Sequence, residues 1–138
     1  MGTGREGVWR PPELNAMSGG ISIHCVDVAS GRLAVGLGVE VVRLGPDGLP
    51  QGAPLAEGRV GSNGLLHHPT LMSEAITAGG YEVRFSVGDF YRSQGHATGG
   101  PVFLEVVPYR FHIADPVQHY HLPFKFTAWG FSLFRGGA

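Results

Sequence analysis

Glycine and proline cut this chain into short β-rich runs, and that punctuation limits what it can fold into more than any other feature. Of the 138 residues, 23 are glycine and 10 are proline. Most stand where turns belong, as in Ser30-Gly31-Arg32, Gly45-Pro46-Asp47-Gly48 and Gly61-Ser62-Asn63-Gly64. Between these signals the apolar residues alternate. Ile21-Ser22-Ile23-His24-Cys25-Val26-Asp27-Val28-Ala29 reads as a strand with Ser22, His24, Val26 and Val28 on one face and Ile21, Ile23, Cys25 and Asp27 on the other. Residues 37–44 and 55–60 are further strands, and residues 80–87 form a clear alternating one. Residues 88–95 read as a short helix with Asp89 near its start. Residues 70–78 have room for one helical turn. Residues 101–113 read as one long strand kinked at Pro108. Residues 114–117 turn it back, residues 118–127 return antiparallel, and residues 131–135 form the last strand. About eight strands with one short helix predict an all-β sandwich.

Composition narrows the class. With 43% hydrophobic residues the chain can bury a core, and its formal net charge of −1 gives no basic field for nucleic acid or an acidic membrane surface. Charged residues make up 15%, below the quarter or so usual in an isolated domain, which fits a surface partly covered by subunit contacts. The one cysteine, Cys25, cannot form an intrachain disulfide, and its strand predicts a buried, inert thiol. Residues 1–20 include Arg5, Glu6, Arg10, Pro11, Pro12 and Glu13 and lack the apolar centre of a signal peptide. No apolar run approaches the roughly 18 residues of a membrane span. The expectation is a cytoplasmic chain with a flexible extension at residues 1–20 and one domain at residues 21–138.

The chemistry lies in the histidines. In Gln118-His119-Tyr120-His121-Leu122-Pro123 two rings stand two residues apart, so an extended chain points them to one side. Histidine moves protons near neutral pH, and His24 could complete a cluster with these two. For His119, structural support, a subunit contact and catalysis all stay open. His67-His68 read as solvated loop residues. Arg135 reads equally as a ligand contact or as a carboxylate's partner across an interface. Three histidines could hold zinc, but no carboxylate or cysteine stands at metal-ligand spacing, so neither metal nor another cofactor is expected.

Several of these residues together carry a resemblance. Ile23-His24-Cys25-Val26-Asp27 with Ser30-Gly31-Arg32 resembles the opening strand of the transthyretin family, which includes the 5-hydroxyisourate hydrolases. Gly80-Tyr81-x-Val83-x-Phe85 and Gly88-Asp89-Phe90-Tyr91 resemble its middle strand and helix. Asp115-Pro116-x-x-His119-Tyr120-His121-Leu122-Pro123 is similar to the hydrolase signature ending His-Tyr-His-Val-Pro-Leu. The tail Trp129-Gly130-Phe131-Ser132-Leu133-Phe134-Arg135-Gly136-Gly137 resembles the hydrolase ending Tyr-Gly-Tyr-Ser-Thr-Tyr-Arg-Gly-Ser. The resemblance implies a transthyretin-like two-sheet sandwich, a homotetramer built as a dimer of dimers, and small-molecule sites in a channel between dimers. It implies a site made of the first-strand histidine, an arginine from an Asp-Gly-Arg turn, the second histidine of His-Tyr-His and the terminal tetrapeptide. His24, His121 and Arg135 match three of those positions.

The departures are equally specific. The Asp-Gly-Arg turn aligns with Asn63-Gly64-Leu65, so Leu65 stands where the arginine would be; Arg59, six residues earlier, could replace it only through a loop shift. The terminal Tyr-Arg-Gly-Ser becomes Phe134-Arg135-Gly136-Gly137, losing a phenol and a hydroxyl; Phe124 and Phe126 stand for aliphatic residues, and Phe131 for a tyrosine. Opening a cyclic amide-like ring with water needs a base, a donor for the developing oxyanion and an acid for the leaving nitrogen. Paired histidines depress each other's pKa and keep one ring neutral. An arginine adds a two-pronged donor. The expectation is a divergent hydrolase-like enzyme with His24 and His121 as acid–base residues. Arg135, His119, Leu65, Phe134, Gly137 and Arg59 would surround a small cyclic substrate, 5-hydroxyisourate or a less polar one. Isomerisation or cyclisation of that substrate is a variant of this reading. The alternative is a non-catalytic carrier of an apolar aromatic ligand.

Overall fold

A computed structural model of the chain describes residues 19–95 and 100–137. Residues 1–18, most of the expected extension, lie outside the described residues. Among the described residues eight strands form two four-stranded sheets with orders β2-β1-β7-β8 and β4-β3-β5-β6. The first sheet holds β1 (Ile21–Asp27), β2 (Arg32–Leu33), β7 (Tyr120–Phe126) and β8 (Phe131–Leu133); the second holds β3 (Gly38–Leu44), β4 (Ala56–Arg59), β5 (Gly79–Phe85) and β6 (Val107–Ile113). The helix α1 (Val87–Ser93) follows β5, and a short 3-10 helix spans Pro69–Met72.

The sheets face each other through the apolar half of each alternation. Ile21, Ile23 and Cys25 of β1 and Leu122, Phe124 and Phe126 of β7 are fully buried, opposite Val41, Tyr81, Val83 and Phe85 of the second sheet. The Phe85 and Phe124 rings stack with centroids 3.9 Å apart, tying the layers together. Cys25 is buried as expected, and burial pushes its thiol up to about 12. The helix is pinned to the end of β1, where the Tyr91 hydroxyl donates to Asp27 Oδ1 at 2.7 Å.

Three expectations need correction. Residues 118–127 do not return antiparallel beside residues 101–113. The chain crosses to the other sheet, where β7 runs parallel to β1 and antiparallel to β8. The sandwich demands this, because the buried faces of β6 and β7 must oppose each other across the core rather than lie edge to edge. Residues 101–106 are not strand. Arg92 of α1 holds Glu105 at 2.7 Å, and the Glu105 carbonyl accepts from Gly88 N at 2.9 Å, so this segment straps the helix instead of extending the sheet. The turn at Ser30-Gly31 is followed by a two-residue strand, β2, paired through Val26–Leu33 and Asp27–Arg32.

Candidate active site

β1 and β7 lie side by side and parallel, so their outward residues form matched rows. Ser22 stands beside His121, His24 beside Pro123 and Val26 beside Lys125. Along both strands buried residues alternate with more exposed ones, and the second set carries the histidines on the outer face of the sheet. Strand periodicity brings His24 and His121 onto one surface, one step diagonal to each other.

A third ring joins them through a hydroxyl. Ser22 Oγ lies 2.8 Å from His119 Nε2 and 2.6 Å from His121 Nδ1. On its far side His119 Nδ1 donates to the Gly19 carbonyl at 2.8 Å. Burial, then the neighbouring His119 and His24, hold the His121 pKa below the ordinary histidine value. A lowered value suits a ring that accepts a proton near neutrality. In the sequence Ser22 stands out only as a face-mate of His24. The signal available was its period-two relation to that histidine.

One flank of the site is the turn after β4. Cys25 N donates to Gly64 O at 2.9 Å and Leu66 N to Ile23 O at 3.1 Å, so the turn adds a short antiparallel bridge in which Leu65 opposes His24. Directly opposed residues point to the same side with Cβ atoms about 4.5–5.5 Å apart, which puts Leu65 next to the His24 ring. Asn63 shapes the turn by accepting from Leu65 N at 3.1 Å, and its side chain meets His67 Nε2. Gly64 has φ +81°, and a Cβ there would lie 2.8 Å from His24 Nε2 and 2.7 Å from Leu33 Cδ2. Gly64→Ala is therefore expected to cost about 1–3 kcal/mol, strain and clash together, in urea unfolding, and to shift the His24 ring resonances. An unchanged midpoint with unchanged His24 resonances would show that the turn does not press on this ring.

The other flank is the tail. Gly136 N donates to His121 O at 2.8 Å, and Gly136 opposes His121 in an isolated bridge. A Cβ at Gly136 would lie 3.2 Å from the Pro123 ring and 3.4 Å from His121 Cδ2, so the tail approaches closely because this residue is glycine. Between this bridge and the Phe124–Leu133 pair, the same register places Phe134 across from Pro123 on the histidine side. It turns Arg135 to the other side. The Arg135 guanidinium donates to Gln118 Oε1 at 3.0 Å and His119 O at 3.3 Å, and lies 4.0 Å from the centre of the buried Tyr120 ring. Gly137 follows the bridge, exposed, with φ +52°.

The structure thus gathers His24, His119, His121, Leu65 and Phe134 around one surface and leaves Arg135 engaged at its rim. It does not bring Arg59 there. Arg59 belongs to β4 of the second sheet, donates to Gly36 O at 3.1 Å, and lines a groove with Glu40, Glu57 and Arg84. His68 caps the 3-10 turn, its Nδ1 accepting from Thr70 N at 3.3 Å.

A two-sheet, eight-strand sandwich with its first strand parallel to its seventh, a short helix after the fifth, and a histidine row on one outer face defines a transthyretin-like protein. Residues 21–136 match the model of the HIUase/Transthyretin family, and the chain belongs to that family. It is 37% identical over 119 residues to 5-hydroxyisourate hydrolase 2 of Rhizobium meliloti, covering 86% of this chain and 97% of that one. The structure of Klebsiella pneumoniae 5-hydroxyisourate hydrolase superimposes with a TM-score of 0.69 at 25% identity, over 86% of this chain and 99% of that one. That of an (S)-allantoin synthase superimposes with a TM-score of 0.75 at 32% identity, but this chain spans only 44% of it.

Proposed function

We propose that the chain opens the ring of 5-hydroxyisourate, or of a less polar cyclic relative, with water. The observation that carries this reading is the hydrogen-bonded histidine row, with His121 held neutral by burial and by two neighbouring rings. His121 takes the proton of the attacking water, and His24 steadies the oxygen that gains charge at the carbonyl carbon. His121 then returns the proton to the leaving ring nitrogen. Leu65 and Phe134 form the apolar walls and accept a substrate with fewer polar handles. In this reading the protein works as a homotetramer whose dimers cover the histidine face, and it works in the cytoplasm.

The test is the ultraviolet decay of freshly generated 5-hydroxyisourate. Acceleration well above the spontaneous rate supports the proposal; decay at the spontaneous rate sinks it for this substrate. Leu65 beside His24 also favours a second reading, a carrier of an apolar aromatic ligand. Calorimetric binding of such a ligand without conversion would select the carrier.

The depressed His121 pKa has a pH signature. The unfolded chain protonates this ring near the ordinary value of about 6.5, the native chain only below it. As pH falls through this window the unfolded state binds more protons, so stability present at pH 7 is lost. Unfolding free energy is expected to drop as pH falls from neutrality through the ordinary histidine value of about 6.5, and to drop less in His121→Phe. The acid limb of kcat/KM should fall below the ordinary histidine value. A limb above that value would contradict a neutral His121 as base.

A further inference from the structure

The hydrogen-bonded chain behind His121 has a direction, set by its fixed end. Gly19 O is a backbone carbonyl and can only accept, so the 2.8 Å contact with His119 requires a proton on Nδ1 of that ring. A neutral imidazole carries one N–H, which leaves His119 Nε2 as a lone pair. Ser22 Oγ, 2.8 Å away, must donate its single hydroxyl hydrogen to it. The Ser22 oxygen then has only lone pairs for His121 Nδ1 at 2.6 Å, so that nitrogen carries the proton. The Nε2 lone pair of His121 is what remains.

We infer that Ser22 and His119 are positioning residues that lock His121 in its Nδ1–H tautomer and so present Nε2 as the base of the site. The fixed end is well held. Gly19 has φ +84° and lies so close beneath Pro116 that a Cβ would sit 2.7 Å from its carbonyl oxygen. The next carbonyl, of Gly20, accepts from Tyr120 N at 2.9 Å, which sets Gly19 against the start of β7. The parallel register then places Ser22 beside His121. Which ring nitrogen carries the proton is decided by the partner of the other nitrogen, and here that partner is an oxygen whose own hydrogen is already committed.

During ring opening the water proton moves to His121 Nε2 as the water oxygen bonds to the carbonyl carbon. The ring C–N bond then breaks, and the same proton passes from Nε2 to the departing nitrogen. His121 Nδ1–H stays on Ser22 Oγ throughout, so the ring returns to the tautomer in which it began.

The inference rests on the hydrolase reading only for its kinetic arm. In the full chain carrying 15N-histidine, long-range proton–nitrogen spectra at roughly pH 8, where ordinary histidines are neutral, report the tautomer without any substrate. His121, assigned by its loss in His121→Gln, is expected to show a protonated Nδ1 and a bare Nε2. Ser22→Ala and His119→Phe should each shift it toward Nε2–H. Ser22→Ala should lower kcat by about tenfold to a hundredfold with little change in KM, and Ser22→Thr, which keeps the hydroxyl, should restore both tautomer and rate. A protonated Nε2 on His121 in the unaltered chain, or an unchanged tautomer in Ser22→Ala, would overturn the inference. A locked tautomer in a chain that does not accelerate 5-hydroxyisourate decay would uphold the lock and overturn the hydrolase reading instead.

Discussion

His121→Gln is expected to lower kcat/KM for ring opening by about 10²–10⁴-fold, the range associated with a positioned general base. Glutamine keeps a donor within reach of Ser22 but has no nitrogen lone pair to take a proton from water. The backbone of residue 121 still accepts from Gly136 N, so the tail stays docked and the loss is chemical rather than structural. The side chain lies on the outer face of the sheet, away from the Phe85–Phe124 stack, so the unfolding midpoint should move little. The measurement is initial decay of 5-hydroxyisourate with the spontaneous rate subtracted. A variant within threefold of the parent would remove His121 from the base role.

Leu65→Arg is expected to act in the opposite direction. Leu65 opposes His24 across a backbone bridge, at the position where the transthyretin-family resemblance places an arginine. A guanidinium there can donate two parallel hydrogen bonds to a carbonyl-rich substrate. Such charged contacts contribute about 1.5–3 kcal/mol, a gain of about tenfold to more than a hundredfold in kcat/KM at roughly 1.4 kcal/mol per decade. The opposing effects are smaller. Leu65 is only half buried, and the long arginine stem can cover the same apolar surface while its head stays in water. The gain should be specific to 5-hydroxyisourate and should vanish for less polar analogues. Equal or poorer turnover of 5-hydroxyisourate by the variant would show that Leu65 does not mark a missing anchor.

Much of this was legible in the sequence where the determinant was local. The alternation of Ile21–Asp27 places Ile23 and Cys25 in the core and His24 outside, and burial follows it residue by residue. The His119-Tyr120-His121 spacing likewise puts both rings on one side, with Tyr120 buried between them. The errors arise where the determinant is distant. Ala114-Asp115-Pro116 shows that the chain reverses but not which sheet it joins, so the parallel β1–β7 pairing could not be read from it. Residues 101–106 have strand-like composition, yet the Arg92–Glu105 contact to the helix decides their path. Arg135 matches a site position in sequence. Standing one residue before the Gly136 bridge, it faces the other side and turns toward Tyr120 instead. Ser22 shows no role by itself because its partner His121 lies 99 residues away.

That separation bears on how the molecule comes into being. The two strands that carry the histidines are the first and seventh of eight, so the surface between them requires closing a loop of about a hundred residues. The entropy of closing a loop rises only slowly with its length, but contacts of long sequence separation are reached late and set slow folding rates. The antiparallel neighbours β5 and β6, joined through the helix, close a much shorter loop than β1 and β7 do. The Ser22–His121 contact thus belongs to the long-range pairing that slows the folding of this chain, and the surface that carries the histidines exists only once its two ends have met.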